Sequence, residues 1–131
     1  MNAKVINILL AEDNKANQFI SKAMIESVGS SVVIAENGLE VLDKVKEQVF
    51  DLILMDCQMP EMDGFEATEK VRSMDNPALA NIPIVALTAD VQKETRENCL
   101  QKGMNDFVSK PFTLDDITTL IQKWVKKEDS P

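Results

Sequence analysis

The apolar runs in the chain are short, at residues 5–11, 31–35, 52–55, 82–87 and 107–108. Longer stretches with helical spacing lie between them. That alternation predicts βαβ units around a mostly parallel sheet. Leu52-Ile53-Leu54-Met55 and Ile84-Val85-Ala86-Leu87 are apolar at every position. Strands covered by helices on both faces read this way.

The helices differ in quality. In the last, Ile117, Leu120, Ile121 and Trp124 fall at i, i+3, i+4 and i+7, making one apolar stripe. Thr113 is its expected N-cap, with Asp115 and Asp116 in the first turn, where the helix dipole favours acids. The first helix is expected to start near Asn14, to bury Ile20, Ala23 and Met24, and to end at Gly29. Asn37-Gly38 predicts a turn into a second helix carrying Val41, Leu42 and Val45. Gly64 opens a third, with Phe65, Thr68 and Val71. The fourth, over residues 91–100, offers only Val91, Thr95 and Cys99. So small an apolar face predicts a loosely held, mobile helix. Residues 73–83 hold two prolines and two asparagines and read as a loop. Residues 126–131 read as a solvated, frayed tail.

A length of 131 residues fits one domain, spanning 1–131 with its core at about 5–125. With 44% apolar and 27% charged residues, a folded soluble domain is expected rather than disorder. The balance of 14 Lys+Arg against 22 Asp+Glu gives −8. Phosphate backbones and anionic lipid would repel such a chain, so neither direct nucleic-acid binding nor membrane contact is expected. There is no histidine. That removes Ser-His-Asp and Cys-His catalysis and His-ligated zinc. Any phosphohistidine chemistry must come from a partner. Cys57 and Cys99 are too few for a disulfide framework and are not spaced for zinc; two thiols in a reducing cytoplasm are expected. The apolar run at 5–11 is too short for a membrane span, and no secretory pattern is visible.

Acids follow the strands. Glu12 and Asp13 come directly after the first, and Asp56 after the third. In a doubly wound sheet, ligands bind beyond the carboxyl ends of the strands where strand order reverses. An order of 2-1-3-4-5 puts strands one and three side by side, so the three carboxylates converge. They stay ionised together only around a cation. All-oxygen ligands favour a hard ion, and Mg²⁺ with retained waters fits best. Thr88 closes the fourth strand and Lys110 the fifth, on the same edge. Acids, a metal, a hydroxyl and an ammonium together suit phosphoryl transfer onto a carboxylate.

In this order, Ala11-Glu12-Asp13-Asn14, Met55-Asp56-Cys57-Gln58-Met59-Pro60-Glu61-Met62-Asp63-Gly64, Leu87-Thr88-Ala89 and Lys110-Pro111 resemble the receiver domain of two-component response regulators. The resemblance covers about residues 5–124. It implies a flavodoxin-like α/β fold: a five-stranded parallel sheet of order 2-1-3-4-5 with helices on both faces. It makes Asp56 the phosphoacceptor. Asp13 and Asp56 would ligate Mg²⁺ directly, Glu12 through a water, and Gln58 through its backbone carbonyl. Lys110 would pair with Asp56 or its phosphate, next to a cis Lys110–Pro111 bond. Phe107 matches the switch aromatic, often Tyr in the family; without a hydroxyl, switching would rest on ring burial alone. Asn14…Asn17-Gln18, Gln58-Met59-Pro60 and Cys99-Leu100…Gly103-Met104 resemble the receivers of hybrid histidine kinases. The implied donor is a histidine kinase or a histidine phosphotransfer domain.

Phosphorylation of Asp56 would draw Thr88 toward the new oxygens and let Phe107 turn inward, shifting the fourth helix, fifth strand and fifth helix. Gln58 and Asp90 are the expected tuners of phosphoryl lifetime. The domain is expected to signal rather than turn over a separate substrate, as a monomer or weak dimer. Lys93, Glu94, Arg96 and Glu97 are read as a solvated face. An aspartyl phosphatase would need a general acid at position 58, where Gln58 stands. An EF-hand would need a ligand spacing that residues 56–64 lack. A receiver used only for docking would not need the complete chemical set.

Overall fold

The computed structural model describes residues 5–89 and 92–125. Strands β1 (Asn7–Ala11), β2 (Ser31–Ala35), β3 (Leu52–Asp56), β4 (Ile84–Thr88) and β5 (Asp106–Ser109) alternate with helices α1 (Lys15–Ser27), α2 (Gly38–Glu47), α3 (Gly64–Arg72), α4 (Pro77–Ala80), α5 (Lys93–Gln101) and α6 (Leu114–Trp124). All pairings are parallel, in the order β2-β1-β3-β4-β5. The expected α/β architecture is therefore present. The expected fourth and fifth helices are α5 and α6, because the stretch read as a loop contains α4. Asn76 caps α4 and Pro77 sits at its start, which is how a single turn holds together.

The period of two along each strand divides the core. Leu9, Ile53, Met55, Ile84 and Ala86 face one cluster with Val41, Val45, Ala67, Val71 and Cys99 of α2, α3 and α5. Ile8, Leu10, Leu52, Leu54, Val85 and Leu87 face the other with Ile25, Ile117 and Leu120 of α1 and α6. Truncating one of these large side chains to alanine costs about 2–5 kcal/mol.

Caps set the helix starts. Asn14, Asn37 and Asp63 each accept a backbone N–H of the first turn, and Thr113 and Asp116 form a capping box. Gly29 adopts φ +89, as a chain reversal after α1 requires.

The α1 face differs from expectation. Ser21 and Ile25 are buried, Ala23 is exposed, and Met24 is only half-buried. Phe19 is 77% and Ile20 57% exposed. Polar contacts fix the rotation: the Gln18 amide donates to the Glu12 carbonyl at 2.7 Å, while Ile25 anchors the far end in the core. An apolar stripe drawn from hydrophobicity alone misses a helix whose inner face is partly polar.

Helix α5 buries as small a face as its sequence predicted. Cys99 is its buried residue, and its N-cap, Gln92, makes no side-chain capping bond. Val91, expected on its stripe, lies outside the described residues, as do Asp90 and the tail. The other end of α5 is tied down by Arg72. That guanidinium donates to the Gly103, Ala80 and Ile82 carbonyls at 2.8, 2.9 and 2.7 Å, and to Asn105 Oδ1 at 2.7 Å. Burial pushes Arg72 below the ordinary guanidinium value, a cost these hydrogen bonds offset.

Candidate functional site

The carboxyl ends of β1, β3, β4 and β5 meet at one edge. Asp56 ends β3 and is buried. Its Oδ2 accepts the Lys110 ammonium at 2.9 Å, and its Oδ1 accepts the Gln58 backbone N–H at 3.1 Å. Glu12 follows β1 and is only 2% exposed. Its Oε1 accepts Lys110 at 3.2 Å and its Oε2 accepts the Asn14 N–H at 3.1 Å. Its own N–H extends the sheet by donating to the Ala35 carbonyl at 2.9 Å. Asp13 is exposed. Ligand oxygens of Glu12, Asp13 and Asp56 lie within 4.8 Å of one another.

Lys110 is held in place through its backbone as well. Its N–H donates to the Thr88 carbonyl at 2.9 Å, extending the β4–β5 pairing. Burial alone would lower its pKa. Hydrogen bonds and charge from Asp56, then Glu12, outweigh that and hold it above the ordinary lysine value. The ammonium is therefore charged at neutral pH. Three carboxylates gather at a site where Lys110 pairs with two of them, an imbalance in which a further cation is stabilising. Oxygen donors only, one of them open to water, fit a hard divalent ion that keeps part of its hydration, as Mg²⁺ does.

Beside the carboxylates lies an open pocket of about 180 Å³, lined by Asp56, Gln58, Thr88 and Lys110 among others. Thr88 ends β4 and is buried with its neighbours on the strand. The pocket places a carboxylate, a hydroxyl-bearing side chain and an ammonium around one space large enough for a phosphoryl group.

Residues 8–122 match the response regulator receiver domain. The chain belongs to this family. The receiver is 44% identical over 123 residues to hybrid signal transduction histidine kinase B of Dictyostelium discoideum, covering 87% of this chain and 6% of that protein. It is 35% identical over 125 residues to the sensor protein GacS of Pseudomonas syringae pv. syringae, covering 95% of this chain and 14% of that one. The chain thus spans a small fraction of these relatives. Among solved structures, it resembles the receiver domain of a Pseudomonas aeruginosa sensor histidine kinase with magnesium coordinated in the active-site cleft. That match has 40% identity and a TM-score of 0.84, covering 92% of this chain and 98% of the other. It also resembles a Saccharomyces cerevisiae response-regulator receiver crystallised with its histidine phosphotransfer protein. Here identity is 32% and the TM-score 0.85, covering 95% and 92% of the two chains.

In the receiver, Glu12, Asp13, Asp56, Gln58, Thr88 and Lys110 come together as the sequence led one to expect. The Lys110–Pro111 peptide is cis. Phe107 stands apart, half-buried on β5 opposite Ala86 in the register. Three features had no signal in the sequence. A β-carbon on Gly64 would sit 2.3 Å from the Asp56 carbonyl oxygen, so the start of α3 is pressed against the strand that carries Asp56. Cys57 and Cys99, 42 residues apart, are both free and buried; burial pushes both thiols up, followed for Cys57 by the influence of Cys99. The Arg96 guanidinium lies over the Phe107 ring, 5.4 Å from its centroid. Separations of this length carry no periodicity, so only the fold could reveal them.

Proposed function

We propose that this receiver takes a phosphoryl group from a partner phosphohistidine onto Asp56, as a relay step in two-component signalling. What carries this reading is the convergence of three carboxylates and the Lys110 ammonium beside the pocket that Thr88 lines. An Asp56 carboxylate oxygen attacks phosphorus, the donor P–N bond breaks, and the imidazole leaves with its electron pair. Lys110 neutralises charge on Asp56 and on the incoming oxygens, and Thr88 offers its hydroxyl to one of them. Glu12, Asp13, Asp56 and the Gln58 carbonyl would hold Mg²⁺, which when bound neutralises charge developing on the phosphoryl oxygens.

The donor's surface would be the groove between α1 and the segment after β5. Glu12 and Lys110 line it together with Ile20 and Met24. Phe19 and Ile20 are an exposed apolar pair at the edge of the reacting site, a composition suited to a protein partner. A histidine phosphotransfer domain or a kinase is the proposed occupant, as part of a hybrid-kinase relay. The net charge of −8 disfavours nucleic acid and membrane surfaces. Two free, buried thiols suit the cytoplasm. The domain, 1–131, would act as a monomer or weak dimer and would not turn over a separate substrate.

Phosphorylated Asp56 adds roughly one negative charge. The output would be a shift of α5, β5 and α6 coupled to it through Thr88 and Phe107. The test is transfer from a phosphohistidine-loaded phosphotransfer domain. Label should move to this chain in Mg²⁺ and not to Asp56→Asn; label on Asp56→Asn to the same extent would refute the assignment.

A further inference from the structure

Phe107 is half-buried on β5. A tyrosine at this position could be fixed at its outer position by its hydroxyl. Phenylalanine has none, and burial always favours the inward ring. Thr88, before it moves toward a phosphoryl group, would leave the ring no room to turn in; a contact on the outer side would add to that hold.

The structure supplies a candidate. Arg96 is on the middle turn of α5, and its guanidinium lies 5.4 Å from the Phe107 centroid, within range of a cation–π contact. The ring packs on the α5 side of the core, in the cluster that includes Cys99 and Met104. The ring thus has both apolar neighbours and a cation close to it. α5 buries only Cys99, and Arg72 anchors the segment that follows it. A contact between its middle and β5 therefore bears directly on where the helix rests.

We propose that Arg96 is a positioning residue, the latch that holds Phe107 outward and α5 against β5 in the resting receiver. The proposal rests on the phosphoacceptor reading of Asp56. When the ring turns inward, its face is withdrawn from the guanidinium and α5 loses that tie. The cation–π contact thus opposes switching, and phosphorylation must overcome it. Removing it biases the receiver toward the switched state before any phosphoryl group arrives. At a solvent-facing site the contact should change the inward-to-outward ratio about two- to five-fold. The latch also assigns Arg96 a role that a solvated charge on α5 would not have.

The test is NMR on protein carrying ring-labelled phenylalanine, with the Phe107 signal assigned by Phe107→Leu. Wild type, Arg96→Gln, Arg96→Lys and Glu97→Gln are compared, each alone and with Mg²⁺ and beryllofluoride, a phosphoryl mimic that marks the switched end point. In Arg96→Gln the Phe107 signal should move toward that end point without the mimic, by the two- to five-fold change in ratio. Arg96→Lys keeps a cation and should move less. Glu97→Gln should not move. An unchanged Phe50 signal reports that the core is intact. A Phe107 signal in Arg96→Gln that coincides with wild type would overturn the latch, as would an equal shift in Glu97→Gln. So would a wild-type Phe107 signal that ignores the mimic, since the ring would then not be a two-state element. Whether wild-type Asp56 accepts a phosphoryl group from acetyl phosphate is read separately by intact mass, so failure of the latch and failure of the phosphoacceptor reading are distinct results.

Discussion

Gly64 and Asp56 are in contact through backbone alone. The Gly64 N–H donates to the Cys57 carbonyl at 3.1 Å, and a β-carbon at Gly64 would sit 2.3 Å from the Asp56 carbonyl oxygen and 2.9 Å from Met55 Cγ. The first partner is backbone of a central strand and cannot give way. The start of α3 is thereby pinned to the strand end that aims the Asp56 carboxylate at Lys110.

Gly64→Ala should therefore lower stability by about 1–3 kcal/mol, the usual cost of overpacking. It should also slow phosphorylation of Asp56 in the fraction that stays folded, because relief of the clash moves the strand end. Chemical denaturation and the initial rate with acetyl phosphate measure the two effects. Wild-type stability and rate together would show that the contact is not tight.

Protein donors and small donors should separate at α1. Ile20→Lys places a charge on the groove that borders Glu12 and Lys110 without touching the acids. Transfer from a phosphotransfer domain should fall at least tenfold, while the rate with acetyl phosphate stays within twofold of wild type, the contrast expected when only docking is lost. Equal losses with both donors would mean that the groove serves the chemistry and not the partner.

Asp106 ties β5 to the end of α6. Its Oδ2 accepts the Trp124 indole N–H at 2.9 Å and Lys123 at 3.2 Å, and its Oδ1 accepts the Phe107 N–H at 2.9 Å. Burial alone would raise its pKa. The hydrogen bonds from Trp124, Phe107 and Lys123 outweigh that and hold it below the ordinary carboxylate value. The folded value is depressed, so this stabilisation is present above about pH 4 and is lost as pH falls through the folded value. Asp106→Asn should be less stable than wild type at neutral pH, and the difference should shrink below about pH 4. Denaturation followed by the fluorescence of Trp124, the single tryptophan, reads this directly. A gap that stays constant with pH would contradict it.

Much of this molecule was legible before any coordinates. Runs such as 52–55 are apolar throughout, as strands of a sheet covered on both faces are. Asp56 and Thr88 end their strands, Glu12, Asp13 and Lys110 follow theirs directly, and the carboxyl ends of the strands converge by topology. The rest was hidden for physical reasons. The rotation of α1 depends on the Gln18 bond to the Glu12 carbonyl, which hydropathy does not record. Arg72 reads as a surface charge on α3, yet it serves carbonyls from two later segments. α4 is one turn long and has no stripe to detect; Asn76 before Pro77 was its only mark.

The central claim is that Asp56 is the phosphoacceptor. Acetyl phosphate and Mg²⁺, followed by borohydride reduction and peptide mass mapping, test it most directly. The expected result is a single phosphoryl adduct, converted by reduction to homoserine at position 56, absent in Asp56→Asn and absent when chelator removes the metal. An adduct that maps to any other residue, or that persists in Asp56→Asn, would contradict it.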